Sequence, residues 1–244
     1  MDAGDKPMGI LILDKPKGLS SMQAIARVRR RAGGVRTGHA GTLDPLATGI
    51  LVVALGKATK SIDRLMDTEK RYRTVIDLSA FTTTDDAEGD RTERAVPVPP
   101  DEQSVREVLL RFVGTIEQRP PAYSAMKVGG RRAYSLARKG APPTLAPRPV
   151  RIDALELVRY LWPLLEIDVR CGKGTYIRSL ARDVGEALGT GGHCQALRRT
   201  AVGPFDESMA RTLDDLPERI GSADVMPLAI AMDLLSDGTA PGSR

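Results

Sequence analysis

Residues 36–55, RTGHAGTLDPLATGILVVAL, divide into two halves of opposite character. Residues 36–49 contain three glycines, three threonines, His39 and a single acid, Asp44. Neither a helical nor an alternating period fits them, so they read as a loop. Pro45, with its fixed φ and missing N–H, suits a turn or the first position of a helix. Residues 50–55, ILVVAL, form a continuous apolar run rich in β-branched side chains and predict a buried strand. The loop therefore abuts the core and presents one carboxylate, as a rigid scaffold displays a reactive group. Asp-Pro is also common turn chemistry, and an Asp before Pro often merely caps a helix.

Towards the N-terminus, Met8 to Leu13 read as a first strand that ends in a turn at Asp14-Lys15-Pro16. Ser20 or Ser21 can cap a helix from about Met22 to Arg31, with Ile25 and Val28 on one face. Arg27, Arg29, Arg30 and Arg31 at its end read either as a solvated terminus favoured by the helix dipole or as a phosphate contact.

Past the ILVVAL strand, a helix over about 58–66 leads to a strand, YRTVIDLS, with Tyr72 at its head. FTTTDDAEGD (81–90) is acidic and turn-rich; Asp85 and Asp86 can orient basic neighbours near the site but are assigned no role. Prolines 97, 99 and 100 precede an amphipathic helix over about 101–112. Residues 119–151 then hold eight Lys or Arg, six prolines and no acid, with Tyr123 and Tyr134 among the charges. Such a run repels itself unless something anionic lies against it, and its prolines and glycines favour an extended, poorly packed loop that orders on nucleic acid.

Two alternating runs, 150–160 and 163–171, read as paired strands around Leu161-Trp162. A glycine turn at 172–175 opens a helix to Leu188, with Ile177, Leu180, Ala181 and Val184 as its buried stripe and Arg178 and Arg182 on another face. A last strand, CQALRRTAVGPF, and two short helices complete the chain, and His193 reads as structural.

With 244 residues, 41% of them hydrophobic, the chain can bury a core in one large domain or two modest ones. A net charge of +5 permits a polyanionic partner without showing one. Cys171 and Cys194 lie outside any CxxC spacing and only two histidines are present, so neither a structural zinc nor any other metal or cofactor is expected. Both cysteines read as small buried hydrophobes in a reducing compartment. The N-terminal apolar run is too short for a signal peptide, and no apolar stretch is long enough to span a bilayer, so a cytoplasmic protein with no membrane contact is expected.

GHAGTLDPLATGIL resembles the signature loop of the TruB-type pseudouridine synthases, and the resemblance implies that Asp44 is catalytic. GILILDKPKGLSS resembles the family's opening motif, which makes Lys15 a support of the active-site floor. KRYR resembles the second motif, implying that Tyr72 stacks on the target base, and KGTYIRSLARDVG the third, whose arginine, here Arg178, pairs with the catalytic aspartate. PPAYSAMKVGGRRAYSLARKG resembles the RNA-clamping thumb, which assigns Lys127, Arg131 and Arg132 to substrate binding; His39 and Leu197 join the pocket by the same resemblance.

The resemblance covers roughly 8–215. It implies an α+β pseudouridine synthase fold, a mixed and mostly antiparallel sheet flanked by helices with the thumb inserted at 119–151. The catalytic domain would occupy 1–220 and a short tail, without a complete RNA-binding PUA domain, 221–244. The implied reaction isomerises the T-loop uridine at position 55 of tRNA by a monomer that needs no cofactor or protein partner.

Such an enzyme must flip the base out at a cost of about a few kcal/mol, part of which stacking on Tyr72 and occupancy by His39 would recover. Attack of the carboxylate on C1′, attack on C6 and elimination at the 2′ position all remain open. Tyr72 is within reach of the C5 proton by resemblance, but a phenol with an ordinary pKa near 10 is a poor base. A non-catalytic RNA chaperone would keep the basic loop yet need no Asp44, Tyr72 and Arg178 together. A glycosidase would show a second carboxylate as general acid, and the loop holds only one.

Overall fold

A computed structural model describes residues 6–124, 126–128, 131–137, 143 and 145–237. In chain order the first elements are β1 (Gly9–Lys15), α1 (Ser21–Arg31), β2 (Thr37–His39), β3 (Thr48–Leu55), α2 (Ile62–Met66) and β4 (Lys70–Asp77). They are followed by β5 (Ala80–Thr82), β6 (Arg91–Glu93), α3 (Glu102–Leu110), β7 (Gly114–Gln118), β8 (Lys127–Val128), β9 (Arg131–Arg132) and α4 (Ala133–Ala137). The last are β10 (Arg148–Leu161), β11 (Leu164–Cys171), α5 (Ile177–Leu188), β12 (His193–Val202), β13 (Phe205–Asp206) and α6 (Leu228–Asp237). The fold is α+β with a mixed, mostly antiparallel sheet, as expected. The chain forms two compact units, one from residues up to Tyr72 together with those from Arg198 onward, the other from Arg73 to Leu197.

In the first unit the ILVVAL run is the heart of β3, and every residue from Gly49 to Leu55 is buried. Its buried backbone N–H and C=O groups need partners on both edges. β1 pairs antiparallel with it from Gly9↔Leu55 to Lys15↔Gly49. β2 also pairs antiparallel, Thr37↔Leu55 to His39↔Val53, and β12 joins parallel at Arg198↔Thr48 and Arg199↔Gly49. Residues 37–39, expected as loop, are thus a strand. Its three half-buried residues show no alternation, because the backbone of β3 supplies the pairing. Gly38 packs closely there, and a Cβ would displace the end of the Ile62 side chain, which it would meet at 2.4 Å.

The core of this unit packs Ile10, Ile12, Ile50, Val52 and Phe205 against Ala231 and Leu235 of α6, so residues 228–237 contribute to the core as a packed helix. α1 begins with a full capping box, Ser20 accepting from the Gln23 N–H and Gln23 from that of Ser20. Of the arginine cluster at its end, Arg27, Arg29 and Arg30 are exposed. Arg31 instead donates to the carbonyl oxygens of Leu213 and, at 2.8 Å, Leu216, which makes it a tertiary clamp.

In the second unit the strands run in the order β4-β11-β10-β7. β10 and β11 form the hairpin predicted around Leu161-Trp162, and β7 pairs antiparallel with the start of β10. α5 ends on Gly189, whose left-handed φ of 71° closes the helix. Among the described residues of 119–151, the stretch 127–137 departs from the extended loop expected of it. β8 and β9 form a hairpin, Lys127↔Arg132 and Val128↔Arg131, followed by the single turn of α4. Local hydrogen bonds, including Tyr134 N–H to Ser124 O at 3.0 Å, hold the backbone that the prolines and glycines were expected to keep open.

Candidate active site

Asp44 is half-buried on the loop between β2 and β3, and the backbone around it is pinned from several sides. Ser21, at the start of α1, accepts from the Leu43 N–H at 2.8 Å and donates to the Leu43 carbonyl at 2.9 Å. The Gly18 N–H donates to Pro45 O at 2.8 Å, and the Ala47 N–H to Asp44 O at 3.1 Å. Arg199, only 1% exposed, donates from Nε to Ile50 O at 2.7 Å and from Nη2 to Gly41 O at 3.1 Å. Its guanidinium thereby brackets both ends of the segment carrying Asp44. The parallel register forces this arrangement, since Gly49, at φ +97°, lies against the Arg199 backbone, where a Cβ would come within 2.2 Å of Arg199 O.

The loop has a buried cationic floor. Lys15 at the end of β1 is 0% exposed, and its ammonium donates to Pro16 O at 2.9 Å and Leu19 O at 2.7 Å. Burial, helped by the neighbouring Arg199 charge, pushes its pKa down to about 8 against the opposing pull of Asp44 and Asp14. His39 is likewise shifted below the usual imidazole range, by burial first and the Arg199 charge second. It is accordingly neutral at pH 7, and its buried Nδ1 has no hydrogen-bond partner among the described residues. Asp14 is held by a two-pronged contact from Arg198, at 3.1 and 2.8 Å. Tyr72 is half-buried on β4, on the same side as buried Lys70 and Thr74.

In the second unit Arg178 is only 4% exposed and lies on a buried face of α5. It donates to Asp86 Oδ2 and Thr84 O at 3.0 Å each and to Tyr123 O at 2.9 Å. One turn on, Arg182 reaches Asp85 Oδ2 at 2.6 Å. Burial raises the Asp85 carboxyl pKa despite the arginine beside it, and Asp85 sits at φ +60°, rare for a residue with a side chain. Leu197 is buried on β12. Lys127, Arg131 and Arg132 lie on the insertion hairpin, but their side chains fall outside the described residues. His193 is structural, its Nδ1–H donating to Ala80 O at 2.9 Å, and both cysteines are buried.

The sequence reading missed Arg199 and the inward role of Ser21, and it left Asp85 and Asp86, which orient Arg182 and Arg178, unassigned. A signal for Arg199 was present: in L197-R198-R199-T200-A201 it occupies an inward position of an alternating strand, where a charge needs a reason. Among the described residues no three His, Cys, Asp or Glu side chains converge as metal ligands, and no helix is long and apolar enough to cross a membrane.

Residues 29–177 match the family model described as TruB family pseudouridylate synthase, N-terminal domain, and 178–226 that of the tRNA pseudouridylate synthase B C-terminal domain. The tRNA pseudouridine synthase B of Rhodopseudomonas palustris is 47% identical over 238 residues, covering 92% of this chain and 64% of that protein. The Mycobacterium tuberculosis protein of the same name is 48% identical over 215 residues, covering 86% and 72%. A chain in the crystal structure of a Cbf5-Nop10-Gar1 complex superimposes with TM-score 0.68 at 32% identity, covering 87% of this chain and 54% of that one. This chain thus spans less than two thirds of the Rhodopseudomonas protein's length and about half of that of the superimposed chain. Two family models meeting end to end at residue 177, together with relatives near half identity, establish that the chain belongs to the TruB family of pseudouridylate synthases.

Proposed function

We propose that the chain isomerises uridine to pseudouridine in the T loop of tRNA, at position 55, acting as a single cytoplasmic chain. The observation that carries this reading is Asp44, the one acid of a loop whose backbone is fixed at Gly41, Leu43, Pro45 and Ile50, beside the buried Lys15 charge. tRNA is preferred as substrate because relatives 46–48% identical bear it in their names. The structural relative bound to a substrate RNA, titled as an H/ACA RNP, is 30% identical.

In this reading the N1–C1′ bond breaks, the base turns, and C5 bonds to C1′; the C5 proton leaves and N1 gains one. No atom or electron is added, so no cofactor is consumed. Attack at C1′, attack at C6 and assisted elimination all need Asp44 as the carboxylate. A rigid loop supplies it in one position, which lowers the entropic part of the barrier. Tyr72 stacks on the flipped base, His39 fills the vacated space as a neutral ring, and Leu197 lines the pocket. Arg178 acts as the family's third-motif arginine, with Asp86 fixing its guanidinium. Lys127, Arg131 and Arg132 hold the RNA backbone.

The test is tritium release from tRNA carrying [5-³H]uridine. Wild-type protein releases label and Asp44→Asn does not, while both bind the tRNA alike. Release by Asp44→Asn at the wild-type rate removes the assignment.

A further inference from the structure

Gln118 and Arg148 are cross-strand partners on β7 and β10, and they are the two points at which the 119–147 insertion leaves and re-enters the sheet. Both side chains grip the same short segment ahead of α5. Gln118, 1% exposed, accepts from the Tyr176 N–H at 2.8 Å and donates to the Tyr176 carbonyl at 3.1 Å. Arg148 donates from Nη2 to Gly174 O at 2.7 Å, and its guanidinium lies over the Tyr176 ring, 5.5 Å from the centroid. The fit is close, since a Cβ on Gly174 would stand 3.1 Å from Arg148 Nη2.

Helix α5 has no side-chain cap of its own at Tyr176, so Gln118 takes over the binding of an N-terminal amide that the local sequence leaves open. The first leg of the insertion is also laced along α5. Ser179 and Arg182 both donate to Arg119 O, at 2.8 and 2.9 Å, and Arg178 donates to Tyr123 O at 2.9 Å. Gln118 and Arg148 contribute little that a surface fastening would not, unless the position of this segment matters. The segment leads directly into Arg178.

We infer that Gln118 and Arg148 are positioning residues that couple the insertion to the start of α5, so that RNA engaged by the insertion sets the placement of Arg178. This rests on the insertion and Arg178 having the roles assigned above. A buried amide holding both the N–H and the C=O of one residue permits little independent movement. A displacement of the insertion roots is therefore delivered to residues 174–178, and a shift of about 1 Å at a reacting group can cost ~10²-fold in rate.

The experiment compares Gln118→Leu and Arg148→Met with wild type, with Gln118→Glu as a milder variant that keeps the acceptor for the Tyr176 N–H. Three quantities are read on an unmodified tRNA transcript: the single-turnover rate at saturating RNA, the tRNA Kd, and the gain in amide exchange protection over 174–180 on RNA binding. The inference predicts a rate roughly tenfold lower, tRNA Kd within about twofold of wild type, and no RNA-induced protection gain in Gln118→Leu. Gln118→Glu falls between. A purely structural role instead lowers Tm while the rate per folded molecule stays at the wild-type value, and this overturns the inference, as does a full protection gain in Gln118→Leu. If wild type binds RNA with the protection gain but forms no pseudouridine, the proposed function fails and the coupling stands.

Discussion

The hydroxyl of Ser21 holds Leu43 by both its N–H and its C=O, at 2.8 and 2.9 Å, and so fixes the residue directly ahead of Asp44. One oxygen serves as acceptor and donor, and the two groups it satisfies are buried. Ser21→Ala leaves both without that partner, at an expected cost of about 1–3 kcal/mol. Because the loss falls beside Asp44, the single-turnover rate should fall more than the folded fraction does. Urea unfolding alongside rapid-quench kinetics checks this; equal losses would mean that Ser21 only supports the fold.

Two glycines with left-handed φ separate backbone strain from steric closure. Gly18, at φ +86°, has nothing within 4 Å of an added Cβ, so Gly18→Ala should cost only the conformational penalty of about 1–2 kcal/mol. Gly49, at φ +97°, faces the Arg199 backbone at 2.2 Å and cannot be relieved by a side-chain rotation. Gly49→Ala should cost at least ~3 kcal/mol and move β12 away from β3. Equal melting temperatures for the two variants would contradict the parallel register.

Lys15 gives a pH signature. Its folded pKa of about 8 lies below the ordinary 10.5, so between these values the unfolded chain binds more protons than the folded one. Stability from this group therefore rises with pH across that window. The rate should move the other way, declining as pH passes about 8 and the Lys15 charge beside Asp44 is lost. Lys15→Met should flatten both curves, and an unchanged alkaline limb in that variant would detach Lys15 from the chemistry.

Two ion pairs in the second unit should differ sharply in worth. Arg73 and Asp168 meet at 2.8 and 2.7 Å, but both are exposed to solvent, and Asp168→Asn should cost less than about 1 kcal/mol. Arg178 and Asp86 are 5% and 4% exposed at their side chains, so Asp86→Asn removes a buried counter-charge from the guanidinium and should cost about 3–5 kcal/mol. Guanidinium chloride midpoints at constant m-value decide between equal and unequal costs.

The sequence reveals those features whose cause is local. ILVVAL reads as a buried strand because it needs no partner to be apolar, and the β10–β11 hairpin and the α5 stripe follow from periodicity alone. Asp44 stands out because it is the single acid in a glycine-rich loop, and the resemblance supplies its role. What escapes notice depends on partners far along the chain. Thr37–His39 becomes a strand only because β3 offers an edge, and Ser21 meets Leu43 across 22 residues. Arg199 reaches Ile50 across 149 residues, and Arg178 reaches Asp86 across 92. In the insertion, composition pointed to an open loop, and the hairpin register of Lys127 to Arg132 prevailed over it.

The most direct test of the central claim maps pseudouridine in an unmodified tRNA transcript after incubation with wild type, with Asp44→Asn, and with a transcript whose T-loop uridine is replaced by cytidine. Conversion at that one position by wild type alone, lost with either change, is the predicted result. Tight binding of the tRNA with no pseudouridine formed by the wild type would contradict it and leave an RNA-binding protein in place of the enzyme.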